Sequence, residues 1–159
     1  QRSIFIDNSY DGGNLYYSHV LSIKNKEFVS MYNKEKLQKV IRELGNVDFI
    51  PELITGMPRG GLIPAVILSH RLDVDYIPLT TAKMLPKRLR QKTLVVDDIV
   101  DTGETALRLA EEKFTIASLC YRSSSKYRPF VYGERLKKDD WIVFPWEAED
   151  SETIQDYLV

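Results

Sequence analysis

From residue 52 onward short apolar runs alternate with segments of helical spacing, and this alternation constrains the fold more than any other feature of the chain. Residues 52–57, 74–79, 93–97 and 115–121 read as strands; residues 62–72 and 104–114 read as helices between or after them. Strands that alternate with crossover helices build a mainly parallel sheet with helices on both faces, an α/β fold. In such sheets ligands bind beyond the carboxyl ends of the strands. The two most unusual loops, Pro58-Arg59-Gly60-Gly61 and residues 98–105, each follow a strand and precede a helix. Both are therefore expected on the same edge of the sheet.

The first third of the chain reads differently. Ser3 to Ile6 and Leu15 to Tyr17 flank Asp11-Gly12-Gly13-Asn14, a composition that tolerates the positive φ of a tight turn, and so predicts an N-terminal β-hairpin. A helix follows, with Asn33 as its cap, Leu37, Val40, Ile41 and Leu44 on one face, and Gly45 as a left-handed stop. The 159 residues are expected to form one compact domain. A net charge of −1 supplies no global basic field for nucleic acid, and the most apolar stretch, residues 62–68, is too short to cross a bilayer. A small soluble substrate fits better.

Cys120 is the only cysteine, which excludes an internal disulfide and a Cys-rich zinc site; it reads as a buried small apolar residue. His19 and His70 have no partners at metal-ligand spacing and read as structural. The start of the chain has no charged-then-apolar signal pattern, which favours the cytoplasm, although a first residue of Gln1 leaves a trimmed N-terminus open. Residues 147–156 are acidic and read as a solvated tail.

The segment from Leu94 to Ala106, Leu-Val-Val-Asp-Asp-Ile-Val-Asp-Thr-Gly-Glu-Thr-Ala, carries the chemistry. An apolar strand ends in two carboxylates, then a small-residue turn opens a helix. Gly103 and two threonines at a helix start offer free N–H groups, hydroxyl donors and the positive end of the helix dipole, a cradle for an anion. Acids beside such a cradle repel a phosphate, unless they accept from sugar hydroxyls or hold a divalent cation. A phosphorylated sugar with a metal meets both demands. The plain structural alternative, acids that cap the next element, accounts for one carboxylate but not for the ordered series. Neither a Walker A string nor a G-x-G-x-x-G dinucleotide fingerprint occurs.

Asp97-Asp98-Ile99-Val100-Asp101-Thr102-Gly103-Glu104-Thr105 resembles the PRPP-binding signature of the type I phosphoribosyltransferases, PRPP being 5-phosphoribosyl-1-pyrophosphate. The resemblance implies that Asp97 and Asp98 grip the ribose hydroxyls, with Asp98 also near Mg²⁺. It implies Asp101 as proton acceptor near purine N7, and Asp101 with Thr102, Gly103, Glu104 and Thr105 around the 5-phosphate, Glu104 through its backbone with its side chain in solvent. Pro58-Arg59-Gly60-Gly61 resembles the family's pyrophosphate loop, in which two glycines admit backbone amides to a polyanion and Arg59 adds a forked donor. Pro58 departs from the pattern, because it has no N–H. Relatives can have a cis bond before the arginine, and whether Pro58–Arg59 does so stays open at this point.

Residues 140–147, Asp-Trp-Ile-Val-Phe-Pro-Trp-Glu, resemble the C-terminal segment of xanthine-guanine phosphoribosyltransferases. This implies that Trp141 stacks on the purine and that the Ile142 backbone reads its edge; core aromatics are the alternative. Arg122 stands where the family has a lysine that donates to the purine 6-oxo group, which implies the same purine contact here; a surface arginine without substrate contact is the alternative. Residues 80–92 stand where the family has a longer hood with a Ser-Tyr pair; here the stretch is short and basic, either a lure for anionic PRPP or a solvated loop.

The similarity runs over about residues 27–147, which implies a hairpin extension at 1–26, a phosphoribosyltransferase domain with a small hood at 27–147, and an acidic tail at 148–159. Function is then expected to be transfer of the phosphoribosyl group of PRPP to a 6-oxopurine, with Mg²⁺ as cofactor, PRPP and a purine base as partners, neither nucleic acid nor membrane, and a homodimer or homotetramer as the assembly. Transfer to another base, or a PRPP-sensing regulator without turnover, remain the alternatives.

Overall fold

In a computed structural model of the chain, residues 26–138 and residue 140 are described, with side chains from Lys34 onward. The expected hairpin, the acidic tail, His19, Trp141 and Ile142 lie outside the described residues. The chain divides into two compact units, Lys36–Asp140 and the combination of Gln1–Glu35 with Trp141–Val159; the sheet and both loops belong to the first.

The elements are α1 (Lys26–Asn46), β1 (Leu53–Gly56), α2 (Leu62–Leu72), β2 (Asp75–Tyr76), α3 (Leu79–Ala82), α4 (Lys87–Gln91), β3 (Thr93–Val100), α5 (Glu104–Glu111), β4 (Thr115–Arg122) and β5 (Val131–Leu136). The five strands form one sheet in the order β2-β1-β3-β4-β5, and every pairing among the described residues is parallel. The chain therefore goes outward from β1 to β2 and then returns past β1 to β3. Strand order reverses between β1 and β3, and their carboxyl ends flank the crevice where ligands of such sheets bind.

Several boundaries differ from the sequence expectation. The first helix begins at Lys26 because nothing between there and Asn33 breaks it, and it continues through Gly45 to Asn46 instead of stopping in a left-handed turn. β2 has only two residues, because the chain turns into α3 at its cap Pro78. Residues 80–92, expected as a loop, are largely helical, and Ala82 with Leu79 and Leu85 joins the core of Val95, Ile116, Leu109 and Phe114. β3 extends past residue 97, because Ile99 and Val100 continue the pairing with Cys120 and Tyr121. β5 was not foreseen: it follows β4 in parallel after only residues 123–130, without a crossover helix to announce it.

The end of the 80–92 segment lies at the amino edge of the sheet. There the Lys92 carbonyl accepts from Glu52 N–H at 2.8 Å, and Gln91 O accepts from Thr115 Oγ1 at 3.3 Å. Its basic end is thus opposite the carboxyl edge. No described helix is long and apolar enough to cross a membrane.

At Lys36, helix α1 lies against Gly133 of β5. A methyl group on Gly133 would meet Lys36 Cβ, Lys36 O and Leu119 O, so only glycine allows the approach. The approach buries Lys36, whose Nζ lies 2.7 Å from Glu134 Oε2 while its side chain is 3% exposed. Despite that contact burial dominates and lowers the Lys36 pKa from 10.5 to about 7, with the nearby Cys120 thiol opposing the shift. Burial raises the Glu134 carboxyl, helped by Asp140, and pushes the Cys120 thiol up from 9.0 to about 12.

These shifts set a pH dependence. Between about pH 7 and 9 the folded Lys36 has released a proton that the unfolded lysine still holds, so stability rises with pH. Above 9 the unfolded chain ionises Cys120 while the folded thiol stays neutral, which offsets the gain. Urea denaturation is expected to show unfolding free energy climbing by ~1–2 kcal/mol from pH 7 to 9, a discounted share of 1.4 kcal/mol per pKa unit. Lys36→Met is expected to flatten that slope; a flat wild-type profile would refute the account.

Candidate functional site

Both unusual loops emerge at the carboxyl edge, from the adjacent strands β1 and β3. The first begins when Met57 N–H donates to Val96 O at 2.8 Å, and it closes when Gly61 N–H donates to Met57 O at 2.8 Å and Leu62 N–H to Arg59 O at 3.1 Å. Pro58–Arg59 is a cis peptide bond, and Arg59 is exposed on the turn. Gly60 N–H has no acceptor among the described residues.

The turn lies against β3 with no room to spare. A methyl group on Gly60 would collide with the Asp98 carboxylate, and one on Gly61 would collide with Val96 O. Both glycines are required by this close approach of backbone to strand. Asp97 and Asp98 lie within the second half of β3, not after it, and each accepts a backbone N–H from the next residue at 2.8 Å: Asp98 N–H to Asp97 Oδ1, and Ile99 N–H to Asp98 Oδ1. Asp98 is 9% exposed, and Asp97 is half-buried.

Beyond β3, Gly103 has φ +86°, a left-handed turn that starts α5. The first amide that closes a helical bond is Leu107, onto Gly103 O at 2.9 Å; Glu104 N–H makes only a 3.4 Å contact with Thr102 Oγ1. The amides of Thr105 and Ala106 have no acceptor among the described residues, and the Thr105 hydroxyl is buried without a hydrogen bond. Unfilled donors at a helix start are the makings of an anion site. The Glu104 side chain is exposed as expected, yet it is also paired, its Oε1 3.0 Å from Lys126 Nζ.

Sequence reasoning missed the segment that holds this turn. Lys126 N–H donates to Thr102 O at 2.8 Å, and a methyl group on Gly103 would meet Ser125 Oγ, Lys126 N and Tyr127 N. The run Ser123-Ser124-Ser125-Lys126 was the available signal, small and polar directly after a strand.

Arg122 is the last residue of β4, with another strand, β5, between it and the 140–147 segment. Its Nε donates to Asp101 Oδ1 at 2.7 Å. Its Nη1 donates to the carbonyls of Lys137 (3.2 Å), Lys138 (3.1 Å) and Asp140 (2.6 Å), while Nη2 makes no hydrogen bond among the described residues. The structure thus brings together Pro58, Arg59, Gly60, Gly61, Asp97 and Asp98 at the switch point, and joins Asp101 to Arg122 beside the Thr102–Thr105 turn.

No described cluster holds three or more His, Cys, Asp or Glu side chains in position for a metal. Asp97 and Asp98 are hard oxygen donors that suit Mg²⁺, an ion that usually takes one or two protein carboxylates and completes its shell with phosphate and water. The pair fits such an ion.

A parallel sheet whose switch point carries an Arg-Gly-Gly turn, an acid pair and an open helix start has the donors and acceptors that a phosphorylated ligand could use at that crevice. Comparison with known proteins is in keeping with this. No family profile matches the chain. It is 28% identical over 141 residues to the xanthine-guanine phosphoribosyltransferase of Vibrio parahaemolyticus serotype O3:K6, covering 77% of this chain and 90% of that protein. It is 30% identical over 113 residues to the protein of the same name from Nitratidesulfovibrio vulgaris, covering 60% of this chain and 69% of that one. Among solved structures, a purine phosphoribosyltransferase from Pyrococcus horikoshii superposes with a TM-score of 0.57 at 29% identity, over 75% of this chain and 91% of that one. The chain belongs to the type I phosphoribosyltransferases, a family of glycosyltransferase enzymes.

Gly103 offers a test of the turn itself. Gly103→Ala puts a side chain at positive φ and against Ser125 Oγ and the Lys126 and Tyr127 amides, and is expected to destabilise the protein by about 1–3 kcal/mol. Urea denaturation measures this, and an unchanged midpoint would mean that the turn is not held from both sides.

Proposed function

We propose that this protein transfers the 5-phosphoribosyl group of PRPP to a 6-oxopurine and releases pyrophosphate. The observation that carries the reading is the abutment of Gly60 on Asp98, which sets a polyanion-type turn directly against a sugar-type acid pair. Asp97 and Asp98 accept from the ribose hydroxyls. Thr102, Gly103, Glu104 and Thr105 surround the 5-phosphate, Glu104 through its backbone; Asp101 stands at their start. Pro58, Arg59, Gly60 and Gly61 form the pyrophosphate turn, where Arg59 and the Gly60 amide neutralise the leaving anion. Mg²⁺, held on the protein side at Asp98, would add positive charge that stabilises the departing pyrophosphate.

As the anomeric carbon loses pyrophosphate, it gains positive charge, and the purine nitrogen held in line forms the new bond. Asp101 takes the proton that the purine gives up, with Arg122 Nη2 as a donor to the neighbouring 6-oxo group. Trp141 and Ile142, outside the described residues, are assigned to stacking and edge recognition from their sequence context alone. The reading carries with it a cytoplasmic location and a homodimer or homotetramer, tested by fractionation and by light scattering.

A donor at the 6-position favours guanine, hypoxanthine and xanthine, because adenine presents an amino group there. Stranding buried donors costs roughly 1–3 kcal/mol each, so kcat/KM for the 6-oxopurines is expected to exceed that for adenine by about ten- to a hundredfold. Steady-state kinetics with the four bases measures it, and adenine as best substrate would overturn the specificity. Asp101→Asn is expected to lower kcat by roughly 10²–10⁴-fold with little change in PRPP affinity. Asp97→Asn with Asp98→Asn is expected to weaken PRPP binding and its Mg²⁺ dependence in calorimetric titration. PRPP binding without turnover of any base would favour the sensing regulator instead.

A further inference from the structure

We infer that Arg122 is a positioning residue: a bridge that holds the Asp101 carboxylate and the turn leaving β5 in one arrangement, so that a lysine cannot replace it. The inference rests on the proposed reaction for its kinetic consequence, but not for its geometry.

The bridge is visible in how the guanidinium is spent. It spreads five N–H groups over three nitrogens in a rigid plane. Nε faces the PRPP-type loop and donates to Asp101 Oδ1 at 2.7 Å. Nη1 faces the opposite way, towards three converging carbonyls, those of Lys137, Lys138 and Asp140. That turn is also closed on itself, with Lys137 N–H donating to Asp140 Oδ2 at 2.9 Å and Asp140 N–H to Lys137 O at 3.2 Å. Its strand is in register with β4 at Arg122 and Leu136, and Ser123 N–H donates to Leu136 O at 2.8 Å. Hence one side chain, 12% exposed, ties the acid at the end of β3 to the segment that leads into Trp141.

A reading of residue 122 as a point charge for the 6-oxo group needs only a cation. The structure uses the fork. An ammonium concentrates its donors on one nitrogen, so a lysine at this position can serve Asp101 or the carbonyl cage but not both. Removing the guanidinium leaves three carbonyls without their shared donor, and the exit turn loses its side-chain hold on β4. The direct link between Asp101 and the exit turn is then lost, which penalises the base, the ligand assigned to lie between them, more than PRPP.

The experiment compares wild type, Arg122→Lys and Arg122→Met by amide hydrogen exchange without ligand and by steady-state kinetics. Exchange at the Lys137 and Asp140 amides is expected to accelerate at least about fivefold in both variants while the β3 and β4 amides keep their protection, as local opening requires. KM for guanine is expected to rise about ten- to a hundredfold in both, with KM for PRPP changed less than about threefold, the loss expected when charge-assisted hydrogen bonds are removed.

An Arg122→Lys protein with wild-type exchange, or with wild-type KM for guanine, overturns the bridge and leaves a point charge. Equal losses for PRPP and guanine, or failure of both variants to melt cooperatively, also overturn it and make Arg122 a folding residue. If the wild type uses no base, the proposed reaction fails, and exchange alone still decides the bridge.

Discussion

The close approach of the Arg59-Gly60-Gly61 turn to strand β3 is the constraint on which the rest of the structure depends. Parallel strands bring the carboxyl ends of β1 and β3 side by side, but side chains would normally keep their exit loops apart. Glycine at 60 and 61 removes that barrier, and Met57 N–H then secures the turn to Val96 O at 2.8 Å. A polyanion-type turn and a pair of carboxylates thereby share one crevice, which neither could form alone. The reversal of strand order at the same place keeps helices from covering it.

Charge is distributed to match. A net charge of −1 gives the chain no strong global field, so the sign of charge at the crevice is set by local groups. The carboxylates of Asp97 and Asp98 each accept one backbone N–H in the strand itself, which helps to fix their direction. Past the strand, the unfilled amides of Thr105 and Ala106 supply the opposite sign. The buried Lys36 shows the other face of the same physics: a charge taken from water, held near Glu134, and partly neutralised by burial.

Much of the fold is legible in the sequence. Alternating runs gave four of the five strands, because burial on both faces leaves a nearly continuous apolar signature in a parallel sheet. β5 escaped because Tyr132, Gly133, Glu134 and Arg135 interrupt that signature, and because a strand reached without a crossover helix has no preceding pattern. The helical nature of 80–92 escaped for a different reason. Its two helices are only four and five residues long, too short for periodicity to register, and Ala82 is held by tertiary packing.

The sequence by itself determined the class of fold, the two loops and the residue types in them, since alternation, glycine freedom and carboxylate spacing are local properties of the chain. Only the tertiary structure decided what those residues touch. Gly60 against Asp98 depends on strand register between β1 and β3, and Arg122 between Asp101 and the Lys137–Asp140 carbonyls depends on β5 lying parallel beside β4. An arginine twenty-one positions from its acid and up to eighteen from its carbonyls has no sequence pattern that pairs them. Hydrogen bonds of that reach are set by how strands are ordered in the sheet, and strand order is a property of the folded chain as a whole.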